Sequence, residues 1–334
     1  MNLWRVPIEE KSGKVLGPPE PITAPSPDSA QISIAADGRR IAYVERLATR
    51  NLQKIRFDAF KERTVGEPTW ITQGSRLAVS PDVSPDGEWL AFSSFGPQED
   101  IFVIKTDGTG LRQLTDDYER DRYPRWSPDG KQIAFYSLRS GKYEIWAINR
   151  DGSGLQQRTF TPDKPAGALS PAWSPDGTRL SYFIFHENSY TLEVGKSWRD
   201  QTPQALPPPS VPDEKFMAWS WSPDGQKVAG PLMRPEGVSS GIAIYSFDSK
   251  KYEKVTDFGL FPIWLKDGRR LIFCFKEKLY LLDSRSKKFH EIMYAPLSAR
   301  TGEMLGVTSL SPDERTLYFA EGTIEADIWM LTLE

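Results

Sequence analysis

Few residues in this 334-residue sequence stand in a pattern that could do covalent chemistry. The segment Gly237-Val238-Ser239-Ser240-Gly241 matches the G-x-S-x-G pattern that presents a nucleophilic serine in hydrolases. Such a nucleophile elbow needs a strand before the serine and a helix after it. Here the following residues, Ile242-Ala243-Ile244-Tyr245, predict a strand. We therefore interpret the segment as a loop between two strands, and we predict that the chain is not an enzyme.

Metal and redox chemistry have few candidate ligands in the sequence. The only two histidines, His186 and His290, belong to different repeats, and a His-rich metal site cannot be built from two. The single cysteine, Cys274, lies between Phe273 and Phe275, which is typical of a buried thiol, and it cannot form an internal disulfide. We expect neither a metal nor a cofactor.

The residues best suited to binding lie in the charged segment 116–123. It combines tyrosines with arginines, which are residue types enriched at binding hot spots. Its carboxylates could pair with those arginines, whereas a glycosidase would need two carboxylates facing each other across a cleft, about 5–10 Å apart. We expect the candidate binding residues on loops at one end of the fold, near a channel mouth; they are Tyr118, Arg120, Arg122, Tyr123, His186, Phe216, Phe258 and Phe261.

The elements that must position these residues follow from a repeated turn. Trp126-Ser127-Pro128-Asp129-Gly130 precedes the apolar run Ile133-Ala134-Phe135-Tyr136. Proline presets φ for a type I turn, aspartate bonds its own backbone two residues on, and glycine accepts the left-handed conformation. Each copy therefore predicts a β-hairpin of two strands, A and B. A third apolar run predicts strand C, and a second turn such as Asp151-Gly152-Ser153-Gly154 leads to strand D.

The turn recurs along the whole sequence. Strands B and C are apolar at neighbouring positions, which implies burial on both faces. Small sheets achieve this burial when they pack radially around an axis. We predict an all-β fold, a seven-bladed β-propeller of four-stranded antiparallel blades, with six or eight blades as alternatives. The repeats lie 43 to 49 residues apart and centre on Asp37, Asp86, Asp129, Asp176, Asp224, Asp267 and Asp313.

A single propeller domain would use residues 1–334. The last repeat offers strands A, B and C, the last of them at Asp327-Ile328-Trp329-Met330-Leu331. Residues 1–23 resemble a C strand followed by a D strand. We expect them to supply one or two outer strands, so that strands from both termini close the ring and remove an exposed edge.

The composition of the chain indicates which classes of partner it can bind, but it does not identify the cellular compartment. The 42 Lys+Arg and 45 Asp+Glu residues are interspersed and give a net charge of −3, so we expect no nucleic-acid partner. No run of 18 apolar residues predicts a membrane span, and the N-terminus lacks the apolar core of a secretion signal. We expect a monomer, cytoplasmic as written or periplasmic if the sequence is a fragment of a longer protein.

The Ser-Pro-Asp-Gly hairpins, together with Glu144-Ile145-Trp146 and Asp151-Gly152-Ser153-Gly154-Leu155, resemble the TolB-like, WD-repeat-like propellers over essentially the whole chain. Asn2-Leu3-Trp4-Arg5-Val6-Pro7 and Gly17-Pro18-Pro19-Glu20-Pro21-Ile22-Thr23 are most similar to propeller modules of bacterial serine/threonine kinases and winged-helix regulators. This resemblance implies a sensor or protein-interaction domain. TolB itself has six blades, one fewer than the seven repeats of this sequence.

We therefore predict a non-catalytic scaffold or sensor module that binds a protein or peptide within a larger bacterial signalling or envelope system. One alternative is a carbohydrate-active enzyme or glycan-binding propeller, with acidic and aromatic residues in its channel. The other is a purely structural module without a ligand of its own.

Overall fold

The computed structural model describes residues 3–22, 29–74, 77–96, 98–163, 166–294 and 308–332. These residues form 28 strands and one short 3-10 helix, Trp198–Asp200, which confirms the predicted all-β class. Within these ranges no helix has the length and apolar character needed to cross a membrane. The chain divides into two compact units: the terminal unit, Met1–Thr49 with Gly322–Glu334, and the main unit, Arg50–Glu321.

The terminal unit contains the hairpin of the first repeat. This hairpin joins β3 (Ser29–Ile34) to the first part of β4 (Arg40–Asp58). Two short strands, β1 (Trp4–Arg5) and β2 (Glu20–Pro21), pair with each other as a separate two-stranded sheet. The predicted role of residues 1–23 in closing the ring stays a prediction, and residues 1–2 and 23 lie outside the described residues. The core of this unit includes Leu3, Ile41 and Tyr43.

In the main unit, five consecutive repeats each form a set of antiparallel strands, and the first set also joins a larger nine-stranded sheet through a parallel pairing of Leu77 with Arg50 of β4. The first has β6 (Leu77–Val83), β7 (Trp89–Phe95), β8 (Ile101–Lys105) and β9 (Arg112–Gln113). The second has β10 (Asp121–Trp126), β11 (Gln132–Ser137), β12 (Glu144–Asn149) and β13 (Gln156–Gln157). The third has β14 (Ala168–Trp173), β15 (Arg179–Ile184), β16 (Ser189–Glu193) and β17 (Gln204–Ala205).

In the fourth sheet the A strand is split into β18 (Lys215–Phe216) and β19 (Ser220–Trp221), which both pair with β20 (Lys227–Met233). This sheet continues with β21 (Ser239–Ser246) and β22 (Lys251–Lys254). The fifth sheet has β23 (Leu260–Trp264), β24 (Arg270–Phe275), β25 (Lys278–Asp283) and β26 (Phe289–Tyr294).

A further sheet of the main unit combines strands from both ends of that unit. The hairpin of the last repeat joins β27 (Ser309–Leu310) to the first part of β28 (Thr316–Thr332). Beside it lies the second part of β4, where the Phe57 N–H donates to the carbonyl of Arg315 at 2.8 Å. The outer strand is β5 (Arg63–Trp70). Strands C and D of the first repeat therefore complete the hairpin of the last repeat.

The turn chemistry of the repeats is visible in their hydrogen bonds. Ser127 Oγ donates to Asp129 Oδ1 at 2.6 Å, and the Lys131 N–H donates to the same oxygen at 3.1 Å. Ser127 Oγ also accepts from the Gln132 N–H at 2.9 Å. Gly130 takes the left-handed conformation, with φ of +67°, which favours glycine over any side chain. The same serine-to-aspartate bond recurs at Ser174, Ser222 and Ser311, so the predicted hairpins are present in these repeats.

The tryptophan of the repeat joins neighbouring sheets. In the previous repeat, Val83 takes the place of Trp126, and the residue before it is Asp82. The indole Nε1 of Trp126 donates to the carbonyl of Asp82, and the other repeats follow the same rule. The distances are 3.1 Å from Trp126 to Asp82, 3.0 Å from Trp173 to Arg125, 3.2 Å from Trp221 to Ala172 and 3.2 Å from Trp264 to Ser220. The indole thus satisfies a strand A carbonyl of the preceding sheet while its ring packs at the sheet boundary.

The sheet of the last repeat also meets the first of the five sheets. The Val83 N–H donates to Ser309 Oγ at 3.0 Å, and a Cβ on Gly87 would lie 3.6 Å from Pro312. Gly130 faces Pro85 at the same distance. The boundary between the last and first sheets therefore repeats a contact made within the series.

Candidate functional site

The predicted binding segment, 116–123, spans the connection from β9 to β10 and the first three residues of β10, and it is held by ion pairs. Arg122 forms a two-pronged ion pair with Glu99 of the β7–β8 loop, in which its Nη2 donates to Oε1 at 2.7 Å. Its guanidinium also lies 5.7 Å from the ring centre of Phe95. The hydrogen bond to Glu99 raises the pKa of Arg122, which stays charged. Arg120 is more exposed and approaches the same carboxylate at 4.0 Å.

A second set of ion pairs holds the loop from the β11–β12 side. Arg139 Nη2 donates to both carboxylate oxygens of Asp121, at 2.9 and 2.7 Å, and its Nη1 lies 3.3 Å from Asp117. Asp121 is fully buried, and this burial raises its pKa. Burial and the nearby charge of Asp121 also raise the pKa of Asp100 to about 6. The loop therefore sits on a buried network of charges.

Tyr118 is the residue that this network presents to solvent. Its side chain is 100% exposed, whereas Arg122 is half-buried and Tyr123 is buried. Tyr123 packs edge-on against Trp219, with ring centres 5.9 Å apart, and Trp219 in turn packs on Phe261 at 4.4 Å. The structure thus brings Tyr123 and Phe261 together, but inside the core and not at an accessible mouth.

Two other predicted aromatic residues pack away from the others. Phe216 is fully buried against Tyr252, with ring centres 5.0 Å apart. Phe258 packs against the rings of Phe273 and Phe275 within the fifth sheet. The structure does not bring Phe216 and Phe258 together with the other candidate residues, and a binding role for these two stays a prediction.

His186 lies on the exposed β15–β16 loop, where its ring meets Phe185 edge-on at 4.3 Å. The other histidine, His290, lies in β26 and bonds through Nε2 to the carbonyl of Glu62 at 3.0 Å. Among the described residues, no three histidine, cysteine or acidic side chains are grouped closely enough to hold a metal ion.

The G-x-S-x-G segment forms the connection between β20 and β21. Ser239 is the first residue of β21, and its hydroxyl donates to the carbonyl of Gly259 at 2.7 Å. A strand follows this serine, so the geometry of a nucleophile elbow is absent at Ser239.

A cavity of about 290 Å³ opens among the A strands of all the described sheets of the main unit. None of the eight predicted residues lines it. Its wall includes the residue that directly precedes the turn's apolar or tryptophan position in each sheet: Asp82, Arg125, Ala172, Ser220, Ile263 and Ser309. Asp82 and Arg125 are the only charged residues among those that line it.

Asp82 and Arg125 form an ion pair on this wall. Arg125 Nη1 donates to Asp82 Oδ1 at 3.2 Å, and the Trp126 N–H donates to Asp82 Oδ2 at 2.8 Å. Burial raises the pKa of Asp82, against the opposing charge of Arg125. The guanidinium also lies 4.9 Å from the ring centre of Trp219, which lines the same cavity.

The strand geometry explains why these two side chains reach the cavity. Four A strands of the main unit have a bulge three residues before the turn's apolar position, where Ser80, Tyr123, Ser170 and Phe261 have φ of 53° to 56°. After the bulge, successive residues alternate, so the tryptophan faces the neighbouring sheet and the preceding residue faces the cavity. Sequence reasoning missed Asp82 and Arg125, although their position next to the turn motif was a usable signal.

A family model described as a TolB beta propeller domain matches residues 25–168. Dipeptidyl-peptidase 5 of Porphyromonas gingivalis is 24% identical, over 79% of this chain and 47% of the peptidase. This chain therefore spans about half the length of that relative.

Two solved structures share the fold at low identity. The structure of a putative TolB from Agrobacterium tumefaciens matches with a TM-score of 0.62 at 16% identity, covering 83% of this chain and 99% of that one. An oligogalacturonate lyase in complex with manganese matches with a TM-score of 0.54 at 12% identity, covering 92% and 98%. The repeated turns, the neighbouring antiparallel sheets and the model matched over residues 25–168 together show that this chain is similar to the TolB-like β-propellers and shares their fold.

Proposed function

We propose that this chain is a non-catalytic propeller module that binds a protein or peptide partner within a larger bacterial signalling or envelope system. The observation that carries the proposal is the complete exposure of Tyr118 on a loop held by ion pairs. Tyrosine brings a large contact area with few rotatable bonds and is enriched at binding hot spots. A partner would contact Tyr118 first and the exposed part of Arg120 beside it.

The ion pairs support the proposal because they order the loop before a partner arrives. Glu99 and Arg139 lie on two different B–C loops and hold Arg122 and Asp121, one on each side. Loops that are ordered in the free protein lose less entropy on binding, which raises affinity without new contacts. We infer that the network of buried charges serves mainly to position this loop.

We also infer that the binding module has six blades, one of the alternatives to the predicted seven. The six sets of A to D strands in the main unit, the cavity lined by all their A strands and the contact of Gly87 with Pro312 support this number. In this arrangement, ring closure joins the hairpin of β27 and β28 to β4 and β5. The terminal unit would then be an addition to the ring.

A binding role fits the described residues better than turnover does. The hydroxyl of Ser239 is held by a backbone carbonyl, and neither histidine lies beside a nucleophile in the described contacts. The peptidase and the lyase among the similar proteins have activities of their own, and the aligned part of the peptidase is about half of its length.

The proposal is tested by affinity purification followed by measured binding. Proteins captured by the immobilised chain from a bacterial extract are identified and purified, and their dissociation constants are measured by calorimetry. We expect Tyr118→Ala to weaken binding of the true partner at least ten-fold. The matched control is Phe60→Ala, which removes an aromatic side chain that is 94% exposed on the β4–β5 turn, at the opposite end of its sheet. Equal binding by both variants would refute the site.

A further inference from the structure

Arg125 has hydrogen-bond donors for which the described part of the chain supplies no acceptor. A guanidinium carries five N–H groups, and the described residues occupy only one of them, the Nη1 bond to Asp82. The side chain is 14% exposed, and it lines the cavity among the A strands. The guanidinium lies over the ring of Trp219, whose π face attracts it and restricts its position. The remaining donors therefore form a fixed, largely desolvated group that suits a carboxylate.

The rest of the cavity wall combines apolar and polar groups. Trp173, Trp221, Ile263 and Leu310 supply apolar surface, and Ser220, Thr308 and Ser309 supply polar atoms. An apolar cavity of about 150 Å³ is large enough for benzene, so the observed volume of about 290 Å³ suits one ring with a few further heavy atoms. The site therefore combines one anion-binding group with apolar surface for a ring and with further polar atoms.

We propose that this cavity is a second binding site, separate from the Tyr118 loop, for a small carboxylic acid with an aromatic or branched apolar body. The carboxylate accepts hydrogen bonds from the free donors of Arg125, and the apolar body packs against the tryptophan and aliphatic walls. Asp82 is the other charged group facing this position, and its negative charge opposes the ligand. The affinity is therefore set by the balance between Arg125 and Asp82.

The test uses N-acetylphenylalanine and its amide, which differ only in the carboxylate. Binding to the full chain is measured by calorimetry and by tryptophan fluorescence, since several tryptophans line the cavity. We expect the acid to bind at least ten-fold more tightly than the amide. Equal binding of the two probes, or no binding of the acid at millimolar concentration, would overturn the proposal.

Variants assign the carboxylate to Arg125. Arg125→Gln should weaken binding of the acid at least ten-fold, while Asp82→Asn should tighten it because the competing charge is removed. Arg150→Gln is the matched control, since Arg150 also pairs with an aspartate, Asp86 at 3.1 Å, and stacks on a tryptophan, Trp89 at 5.2 Å, outside the cavity. If Arg125→Gln does not fold, Asp82→Asn alone tests the assignment of the carboxylate to Arg125. Weaker binding of the acid by Asp82→Asn would contradict that assignment.

The carboxylate could belong to a free acid or to the C-terminal residue of a peptide. A pentapeptide ending in phenylalanine, with a free or an amidated C-terminus, distinguishes the two sources. Preference for the free C-terminus would extend the site to peptide ends, whereas binding of the small acid alone would restrict it to metabolites. Tyr118→Ala should leave binding of N-acetylphenylalanine unchanged, so failure at this cavity is distinguishable from failure of the proposed function.

Discussion

At the residue scale, the charged side chains beneath the Tyr118 loop pair with one another in the interior and hold the loop in place. Asp121 is fully buried and paired with Arg139, while Glu99 is shared by Arg120 and Arg122. Breaking one partner of a buried pair leaves an unpaired charge, which is costly. Substituting Arg122 or Tyr123 would therefore disturb the fold as well as the surface, and Tyr118 is the residue that tests binding alone.

Asp100 should make stability depend on pH. Its raised pKa of about 6 means that the folded state holds the proton more tightly than the unfolded chain does. The unfolding free energy should therefore fall by about 2 kcal/mol as pH rises from about 4 to about 6 through this group, and the loss should level off about one pH unit above that. Asp100→Asn should reduce the pH dependence by this amount, as measured by urea denaturation, while Asp82 and Asp121, whose pKa values are also raised, keep their own contributions.

The control for this prediction is Asp107→Asn. The carboxylate of Asp107 is exposed and its hydrogen bonds to Thr109 lower its pKa, so it stays ionised between pH 4 and 6. This variant should keep the slope of the natural protein. A slope that is not reduced in Asp100→Asn would show that another group is responsible.

Candidate residues differed in how far the sequence could place them. The segment 116–123 was recognisable because tyrosines and arginines cluster there, and its Tyr118 is exposed. Phe216 is aromatic, as Tyr118 is, but its ring is buried. The exposure of an aromatic ring depends on which sheet packs over it, and the residue type alone does not reveal this. Asp82 and Arg125 were missed because their role depends on strand alternation after a bulge.

At the element scale, the tryptophan of each turn joins two sheets. The indole of Trp173 donates to the carbonyl of Arg125 at 3.0 Å, which also holds the strand that carries Arg125. Trp173→Phe should cost about 1 kcal/mol through this hydrogen bond, in addition to any effect of the smaller ring. The free energy of unfolding from chemical denaturation measures the cost.

Trp146→Phe is the matched control, because the buried Nε1 of Trp146 has no hydrogen-bond partner among the described residues. This variant should lose less stability than Trp173→Phe. An equal loss would show that ring volume, and not the indole hydrogen bond, holds the neighbouring sheets together.

The sequence predicted the hairpins better than their partners. Proline, aspartate and glycine fix each turn locally, so the A–B hairpins could be placed from the repeat alone. The pairing of the last hairpin with a C strand is made by backbone hydrogen bonds. Since the C strand of every repeat can form such bonds, the sequence does not show which C strand lies beside the last hairpin. In the structure, β4 is 19 residues long and β28 is 17, and each carries residues of both units. In one arrangement, strand B of the last repeat pairs with strand C of the first repeat, as in the structure; in the other, it pairs with strand C of its own repeat. No local feature of the sequence distinguishes the two arrangements.

At the scale of the whole molecule, the six-blade inference predicts that the main unit is self-sufficient. A chain trimmed to residues 50–321 should fold and melt cooperatively, because it contains the strands of all six blades of the proposed ring. Near-ultraviolet circular dichroism and calorimetry would measure this. An unfolded or aggregated product would favour a ring that needs the hairpin of β3 and β4 as a seventh blade.

The most direct test of the proposed function is site-specific photo-cross-linking from position 118. A benzoylphenylalanine placed at Tyr118 should cross-link one partner protein, and the same probe at Phe60 should not, since the two positions lie on opposite ends of their sheets. Cross-linking of the same partner from both positions, or from Phe60 alone, would contradict a binding site at the Tyr118 loop.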